Sequence, residues 1–495
     1  MLFNILFVLL LQNFEIMKTK NFLLSAAFIL ASCSVNDNFV SSPNDNTNKL
    51  SFTVNGLSYS IDPAVTDTVD LMSLSTEFDA RISVSNPGRY GTISVNGVQL
   101  VNGSGTVSVD RIDKQHFLTL SWSTNSDKGT IYLRTLNSQI PDLVAKGKAT
   151  SPGHFYLSFV YLPIIEKVDN SGNLLYYRCE PVGEGVDYST ISPGWWDFKK
   201  HVFGGTTYYS YHVADPNFQD RGFTGYNPGM RIVTDEHYTP IDTLHLQPSL
   251  DGFVKQGDPI DGHDFYMIDR HHYIMSSYIL RNGVYAAYLQ EVNNGKVEFD
   301  WWSTDHADMS APLEKCFEST AGPDYVHFNS IDILPDGNWL CSFRHTSTMA
   351  KIDRKGGTGR LLWSLRGTNL EDGADFHGQH YARWHEADST ITLFNNANGV
   401  FSTRMLRLTV DLTTGELKKS AVLCDDGYFS AACGALSFSG DNMIVGWGIP
   451  GNDAVNNRLL SEYDANGNEL FTLCRPTNNI NQNTLLSSYR CVKCQ

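Results

Sequence analysis

Hydrophobic and polar residues alternate along many short segments in the first third of the chain. Examples between residues 50 and 150 are "LSFTVNG", "ARISVSN", "GTISVNGVQL" and "GTIYLRT", and Gly, Asn or Asp residues separate them. Alternation with period two predicts strands that bury one face, and the turn residues predict antiparallel connections between them. We therefore expect a small N-terminal β-sandwich domain over residues 50–150.

A longer repeat follows. Its unit is a polar start, a strand, a tight turn, a second strand, Asp-x-x-Gly and an aromatic-rich strand, as in "HFNSIDILPDGNWLCSFRHTSTMAKIDRKGGTGRLLWSLRG". About six copies of such a four-stranded unit are typical of a β-propeller, and no long segment has the apolar period of a helix. The sequence predicts an all-β fold with a six-bladed β-propeller over residues 151–495. A long sandwich is the alternative.

The N-terminus has the pattern of a processing segment. From Met17 the chain reads "MKTKNFLLSAAFILASC", in which two lysines precede an apolar core too short to span a bilayer. "LASC" resembles a bacterial lipoprotein cleavage box; an ordinary secretory peptide is the alternative. We expect translation to start at Met17, residues 1–33 to be the signal segment with Cys33 lipidated, and residues 34–49 to be a flexible tether. The protein would then be an exported lipoprotein, membrane-anchored in the periplasm or at the cell surface.

Charge and missing motifs exclude several functions. The net charge is −16 and no Lys/Arg-rich stretch is present, which argues against a nucleic-acid partner. The chain has neither a GxxxxGK[ST] phosphate loop nor a GxSxG elbow. Eight cysteines remain after Cys33; disulfides are allowed outside the cytoplasm, but the sequence does not give their pairing. An anionic substrate would need local cations to overcome the acidic net charge.

Three histidines occupy the same position in successive repeats. His263, His327 and His380 each stand at the start of a repeat's first strand, with separations of 64 and 53 residues. The innermost strands of a propeller line one channel, so residues at the same phase converge on it. A neutral imidazole is a nucleophile near pH 7, and a second imidazole can serve as acid and base.

Arg344 is expected to join these histidines through a hairpin. The stretch "PDGN" predicts a two-residue turn at Asp336 and Gly337, which pairs Asn329 with Arg344 and places His327 on the same face. A shift of one residue would turn Arg344 to the other face. A guanidinium in this position could hold two oxygens of a tetrahedral anion.

The close spacing of His377, His380 and His385 in the sequence is also typical of metal ligands. Period two, however, places His380 on the opposite face from the other two. A zinc ion held by His263, His327 and His380 is an alternative, but Arg344 would repel it and no carboxylate is in phase to support the ligands. We expect no metal ion and no cofactor.

The stretches "HDF", "GKVEFDWWSTDH", "VHFNSIDILPDGNWLCSFRH", "KIDRKGGTGRLLWSLRG" and "GQHYARW…ITLFNNANG" resemble those of bacterial arylsulfate sulfotransferases over residues 260–450. The resemblance implies a six-bladed propeller with a small N-terminal β domain. It also implies ping-pong transfer of a sulfuryl group from a phenolic sulfate ester to a phenol, without a nucleotide donor. The alternatives are a non-catalytic propeller lipoprotein that binds a ligand or glycan, and a metal-dependent hydrolase.

The resemblance also implies roles for individual residues. His380 matches the histidine that is sulfated, His327 and Arg344 match residues that hold and polarise the sulfuryl group, and His263 matches the third catalytic histidine. Asn329 matches a supporting sulfuryl ligand. The chain departs from the family in "FNNANG", where Asn395 stands in place of the expected acid and one residue is inserted.

Overall fold

The computed structural model describes most of the chain beyond the N-terminal segment. The described ranges are 49–180, 194–215, 225–306, 324–397, 402–450, 457–476 and 486–494. The predicted signal segment, Cys33 and all of the predicted tether except its last residue lie outside them.

The described residues form strands and turns, with three 3₁₀ helices of three residues each: Pro87–Arg89, Ser303–Asp305 and Gly367–Asn369. The predicted all-β class is confirmed. In the described ranges no helix has the length and apolar character needed to cross a membrane.

Eleven strands precede residue 150. They are β1 (Leu50–Val54), β2 (Leu57–Ile61), β3 (Thr68–Asp70), β4 (Ser73–Ser75), β5 (Ala80–Val84), β6 (Thr92–Val95), β7 (Val98–Gln99), β8 (Ser104–Val107), β9 (Phe117–Ser123), β10 (Lys128–Arg134) and β11 (Val144–Gly147). Nine of them form two sheets, with the orders β2-β1-β5-β8 and β3-β10-β9-β6-β7. Alternate side chains of β1, from Leu50 to Val54, are buried, as the period-two pattern predicts. Buried residues of both sheets belong to one hydrophobic cluster.

Six further sheets follow, each built on at least four antiparallel strands. Sheet 1 contains β12 (His154–Phe159), β13 (Ile164–Val168) and β14 (Leu174–Cys179). Sheet 2 contains β15 (Trp196–Phe203), β16 (Thr206–Ala214), β17 (Pro228–Thr234), β18 (Pro240–Leu244) and β19 (Ile260–Asp261). Sheet 3 contains β20 (Phe265–Asp269), β21 (His272–Arg281), β22 (Val284–Asn293) and β23 (Lys296–Trp302). Sheet 4 contains β24 (Phe328–Ile333), β25 (Trp339–Phe343), β26 (Thr348–Ile352) and β27 (Leu361–Arg366).

Sheet 5 contains β28 (His380–His385), β29 (Thr390–Asn395), β30 (Arg404–Val410) and β31 (Leu417–Cys424). A small two-stranded sheet pairs β32 (Ser430–Ala432) with β35 (Ile449–Pro450). Sheet 6 contains β33 (Ala435–Ser439), β34 (Asn442–Gly446), β36 (Arg458–Tyr463) and β37 (Glu469–Cys474). The last strand, β38 (Ser488–Cys494), pairs with β12 and so becomes the first strand of sheet 1. Two early strands also join these sheets, because β4 pairs with β14 and β11 pairs with β37.

The first strands of the six sheets contact one another in a closed cycle. Strand β15 contacts β20, and the series continues through β24, β28, β33 and β38 back to β15. We call these six the inner strands. Many strands of the sheets are buried along their whole length, for example β25 and β26, because each sheet packs between two others.

A buried ion pair ties the last strand to the neighbouring sheet. Lys493 in β38 lies 2.7 Å from Glu462 in β36, and both side chains are fully buried. Lys493 Nζ also donates to the carbonyl and hydroxyl oxygens of Ser151. The backbone amide of Ser151 donates to Glu462 in turn.

Replacing Lys493→Met should destabilise the fold strongly, because it leaves the buried Glu462 carboxylate without its cation. We expect a loss of about 3–5 kcal/mol in the free energy of unfolding, measured with urea. Lys418→Met is the matched control, since Lys418 pairs with Glu416 at the surface and such pairs contribute about 1 kcal/mol or less. Equal effects of the two substitutions would contradict a structural role for the buried pair.

Candidate active site

The site is built where the inner strands begin. His263 lies two residues before β20, His327 one residue before β24, and His380 is the first residue of β28. All three side chains are buried. His263 and His327 contact directly, with their Nε2 atoms 3.1 Å apart.

Irregular backbone directs side chains into this region. The register of inner strands β15, β24 and β28 shifts at Asp197–Phe198, Asn329 and Tyr381–Ala382. Three non-glycine residues here, Asp197, His327 and Tyr381, have left-handed φ angles of 57°, 53° and 56°. Such bulges bend a strand and change the direction of its side chains, and they are common beside active sites.

A three-residue hairpin loop and the bulge at Asn329 together correct one prediction. Leu334 N donates to Asn338 O, so the hairpin loop has three residues and ends at Gly337 with φ +82°. This is the loop in which a type I turn precedes a left-handed glycine. Arg344 N consequently donates to His327 O at 2.8 Å. The predicted pairing of Asn329 with Arg344 is wrong, and Arg344 lies opposite His327.

Carboxylates hold both of the paired histidines. His263 Nδ1 lies 2.5 Å from Asp261 Oδ2, and His327 Nδ1 lies 2.5 Å from Asp324 Oδ2. The backbone amides of both histidines also donate to these same carboxylates. The result is a buried chain of four groups in the order Asp261, His263, His327, Asp324.

The number of protons in this chain is constrained. Its three hydrogen bonds need three protons, whereas two neutral imidazoles carry one N–H each. One additional proton is therefore required to form all three bonds, either on a ring or on a carboxyl. Burial raises the pKa of Asp324 to about 6, and burial together with the charges of His263 and Arg344 lowers the pKa of His327 well below its usual value. The chain of four groups can thus share one additional proton, and the two shifts favour its place on the Asp324 carboxyl over the His327 ring.

The tautomer of His380 follows from its partner. Asn396 Nδ2 donates to the carbonyl oxygens of Ser430 and Cys433, at 3.1 and 3.0 Å, so Asn396 Oδ1 faces His380 Nδ1 at 2.6 Å. Because Oδ1 can only accept, Nδ1 carries the proton and Nε2 keeps a lone pair. Burial, and then the nearby charge of Arg344, lowers the pKa of His380 well below its usual value. The ring is therefore neutral, with an Nε2 lone pair of the kind that a nucleophile needs.

Arg344 and Asn329 complete the group with unused hydrogen-bonding capacity. Arg344 Nη2 donates to Ala431 O at 3.3 Å, while the buried Nε has no partner. Asn329 Nδ2 donates to Gln379 O at 2.7 Å, which ties it to the residue before His380. An anion in the site could accept hydrogen bonds from Arg344 and from the second amide hydrogen of Asn329.

His345 adds a fourth imidazole to the site. It lies beside His327, with ring centroids 4.5 Å apart, and its Nδ1 bonds to Asp324 O. Ligand atoms of Asp324, His327 and His345 lie within 4.8 Å of one another, as they would around a cation. In the described part of the chain, the alternative zinc set of His263, His327 and His380 does not form such a group. Arg344 would repel a cation at either place.

Aromatic side chains enclose the histidines. Trp196 meets His263 edge to face at 5.3 Å and stacks on Tyr489 at 4.3 Å. The ring centroid of Tyr278 lies 5.6 Å from that of His263 and 5.7 Å from that of His327. Trp195 and Trp196 are both buried, and Trp196 also contacts the site.

The other two histidines of the "HGQHYARWH" stretch take different partners. His377 lies 3.4 Å from Asp375, and His385 Nε2 bonds to Thr392 Oγ1 at 2.7 Å. Asn395, at the position of the family's acid, accepts the backbone amide of His377 at 2.8 Å. The departure in "FNNANG" therefore supplies Asn396, which orients His380.

A buried ionic network lies next to the histidines, a few residues further along the inner strands. Asp264 accepts hydrogen bonds from Lys199, Arg383 and Arg490, at 2.6, 2.8 and 2.8 Å. Asp197 lies 2.6 Å from Arg490 and 3.0 Å from both Lys199 and Arg231. Burial raises the pKa of Asp264, but these cations outweigh it and hold the pKa well below the usual range.

The all-β scaffold and the buried imidazole–guanidinium site define a protein suited to transferring a compact anionic group. Residues 286–474 match the arylsulfotransferase (ASST) family. This match supports the arylsulfotransferase family for the chain, and with it arylsulfotransferase activity in general.

No curated protein matches the chain. Among solved structures, a protein of unknown function from Bacteroides caccae is 11% identical, with a TM-score of 0.40, covering 69% of this chain and 98% of its own. The periplasmic gluconolactonase of Pseudomonas aeruginosa is 12% identical, with a TM-score of 0.34, covering 66% and 97%. A virginiamycin B lyase from Staphylococcus aureus is 10% identical, with a TM-score of 0.33, covering 66% and 88%. These scores are too low to carry an argument.

The sequence reasoning missed the groups that hold the histidines. Asp261 and Asp324 stand two and three residues before the histidines they contact, and Asn396 lies in the stretch noted only as a departure. For Asp261 and Asp324, the sequence did contain a signal: each is a carboxylate a few residues before a histidine that recurs at the same position of successive repeats. His345, next to Arg344, gave no signal of its own.

The assigned tautomer of His380 can be tested by NMR on protein labelled with ¹⁵N at histidine. We expect His380 to be the neutral Nδ1–H form and to show no titration from about pH 5 to 8, because its pKa is lowered. Asn396→Ala should convert the ring to a mixture of tautomers. The His380→Gln spectrum assigns the signal, and a protonated or Nε2–H ring in the unchanged protein would contradict the arrangement.

Proposed function

We propose that this protein transfers a sulfuryl group from a phenolic sulfate ester to a phenol by a ping-pong reaction through sulfated His380, without a nucleotide or a metal ion. The observation that carries the proposal is the fixed tautomer of His380. Asn396 holds Nδ1–H, so that Nε2 can attack beside Arg344 and a proton-bearing histidine pair.

In the first half-reaction, the lone pair of His380 Nε2 forms a bond to sulfur as the bond from sulfur to the aryl oxygen breaks. The aryl oxygen takes the additional proton of the His263–His327 pair and leaves as a phenol. Arg344 and Asn329 donate to the sulfuryl oxygens, where negative charge spreads in the transition state. The sulfated ring keeps its Nδ1–H on Asn396, and the neutral amide oxygen stabilises its positive charge.

The second half-reaction runs in reverse. A phenol enters, the histidine pair takes its proton, and the phenolate oxygen bonds to sulfur as the bond to His380 breaks. The pair then again carries the additional proton that the next donor needs. Because the enzyme needs the pair first as acid and then as base, a shared proton suits both steps. Trp196 and Tyr278, beside His263, are aromatic side chains of the kind that pack against a phenyl ring.

The proposal extends to the architecture and location. Six sheets with inner strands in a closed cycle support a six-bladed propeller over residues 151–495, with β38 closing the ring. The two sheets within residues 50–150 support an N-terminal sandwich domain. We further propose that the signal segment and lipid-modified Cys33 place the enzyme outside the cytoplasm, membrane-anchored in the periplasm or at the cell surface.

The function is tested with p-nitrophenyl sulfate and phenol, without nucleotide and with a chelator present. Nitrophenol release should depend on phenol and should survive the chelator. Release without an acceptor would indicate a sulfatase, no release would favour a binding protein, and loss of activity with the chelator would favour the cation alternative at Asp324, His327 and His345.

His380→Ala should reduce transfer roughly a thousandfold or more, because the nucleophile is lost. His385→Ala is the matched control: it lies on the same strand, but its ring bonds to Thr392, so transfer should remain near the original rate. Mass spectrometry of donor-treated enzyme should show one added sulfuryl group in the unchanged protein and in His385→Ala only. Transfer by His380→Ala would overturn the assignment.

The proton-sharing role of the histidine pair predicts a dependence on the leaving group. Asp324→Asn should slow transfer from unsubstituted phenyl sulfate by about 10–100-fold, because its phenol leaves near pKa 10 and needs the proton. Transfer from p-nitrophenyl sulfate, whose phenol is more acidic, should be much less affected. Asp110→Asn is the control, since Asp110 contacts His116 at an exposed position. An equal loss with both donors would contradict acid catalysis by the pair.

A further inference from the structure

The two imidazoles of the histidine pair come from different sheets. His263 lies just before β20 of sheet 3, whereas His327 lies just before β24 of sheet 4. Each ring is oriented by a carboxylate close to it in the chain, Asp261 or Asp324. The two Nε2 atoms nevertheless lie 3.1 Å apart, which is a hydrogen-bonding distance. Because the carboxylates orient each ring separately, a group that contacts both halves is what fixes this separation.

A third sheet supplies such a group. Residues 225–227, which we call the bridging segment, lead into β17 of sheet 2. The backbone amide of Asn227 donates to Asp261 Oδ1 at 3.0 Å, and Gly262 N donates to Asn227 O at 3.1 Å. The next residue, Pro228, pairs with Asp261 across strands β17 and β19. The bridging segment is therefore anchored on the His263 half of the pair.

The same segment lies against the other half of the pair through Gly225. A Cβ atom added at Gly225 would lie 2.7 Å from His327 Cε1 and 3.3 Å from His327 Nε2. A carbon–carbon contact of that length is about 1 Å shorter than the optimal separation. Gly225 also has a φ angle of 93°, in the region that favours glycine. Only a glycine lets the backbone lie this close to the imidazole.

The middle residue of the segment contacts the aromatic side chain that packs on both imidazoles. The ring centroid of Tyr226 lies 5.7 Å from that of Tyr278. Tyr278 in turn meets His263 and His327 at 5.6 and 5.7 Å. Three consecutive residues thus contact the histidine pair and its immediate supports, each at a different point.

The bonds that hold His327 leave its ring little freedom to move away from Gly225. Asp324 accepts hydrogen bonds from the Nδ1 atom and the backbone amide of His327, and Arg344 N donates to the His327 carbonyl oxygen at 2.8 Å. A side chain at position 225 would therefore turn the ring away from His263 or lift the bridging segment off its anchor. Either movement separates the two halves of the pair.

We propose that the bridging segment is a positioning element for the histidine pair, and that Gly225 is the residue that keeps the His327 ring against His263. The segment acts on proton transfer to and from the aryl oxygen, and it leaves the attack of His380 on sulfur unchanged. This inference rests on the proposed function, because it assigns the segment to the acid–base steps of sulfuryl transfer.

Gly225→Ala tests the role of the close contact. It should slow transfer from unsubstituted phenyl sulfate by about 10–100-fold, because the displaced pair no longer delivers a proton to a poor leaving group. Transfer from p-nitrophenyl sulfate, whose phenol is more acidic, should fall much less. The fraction of His380 that p-nitrophenyl sulfate converts to the sulfated form, measured by mass spectrometry, should not change.

Gly252→Ala is the matched control. Gly252 has a φ angle of 73°, so an alanine there experiences a similar backbone strain, but an added Cβ atom would meet no atom within 4 Å. This variant should transfer from both donors at the original rate. An unchanged rate with phenyl sulfate in Gly225→Ala, or an equal loss with both donors, would overturn the proposal.

Tyr226→Leu provides a second variant that retains Gly225 and so avoids the clash. It weakens the support of Tyr278, and it should reduce transfer from phenyl sulfate less than Gly225→Ala does, with the same dependence on the donor. Comparison of the urea unfolding midpoints of the three variants shows whether any loss of activity is a loss of folded protein. Absence of the donor dependence in folded Tyr226→Leu would count against the segment.

Crystal structures of Gly225→Ala and Gly252→Ala separate this proposal from the proposed function. We expect the Nε2 atoms of His263 and His327 to lie beyond hydrogen-bonding distance in Gly225→Ala, and at their original separation in Gly252→Ala. This measurement does not depend on sulfuryl transfer. An unchanged separation in Gly225→Ala would refute the positioning role, whereas absence of transfer in the unchanged protein would refute the proposed function.

Discussion

The buried ionic network around Asp197 and Asp264 is the constraint on which the rest of the structure depends. Arg490 alone bonds to both carboxylates and to Asn329 O. Through it and Arg383, the inner strands of sheets 1, 2, 3, 4 and 5 meet at one place. Removing any cation would leave a buried carboxylate poorly compensated, which is costly. The network therefore fixes how the inner strands are aligned along their length. The histidines lie one to three residues before it in the chain.

That placement explains what the sequence could predict. The three histidines converge because they share a phase in a repeat, and convergence of equivalent positions follows from the fold class alone. The pairing of Asn329 with Arg344 failed because it required a two-residue hairpin loop and a regular ladder, whereas the loop has three residues and the ladder has a bulge at Asn329. The turn residues alone do not decide between the two loop lengths, and each extra residue shifts the pairing by one.

Long-range pairing limited the prediction further. Asp264 and Arg490 are 226 residues apart in sequence, and nothing local marks them as partners. Asp261 and Asp324 are different, because each acts on a histidine within three residues. Local orienting groups were thus accessible to sequence reasoning, whereas the ionic network required the folded chain.

The proposed transfer sets limits on the charge beside the histidines. It needs imidazoles that are neutral or that share one proton, and burial with the charge of Arg344 lowers the pKa of His380, while burial with the charges of His263 and Arg344 lowers that of His327. A strongly cationic chamber would bind the proposed donor but would also hold the sulfated product. The cations of the ionic network are instead paired with Asp197 and Asp264, and Arg344 is the cation placed to face the sulfuryl group in the proposed reaction. The network therefore positions the histidines while its own charges are largely compensated by its two carboxylates.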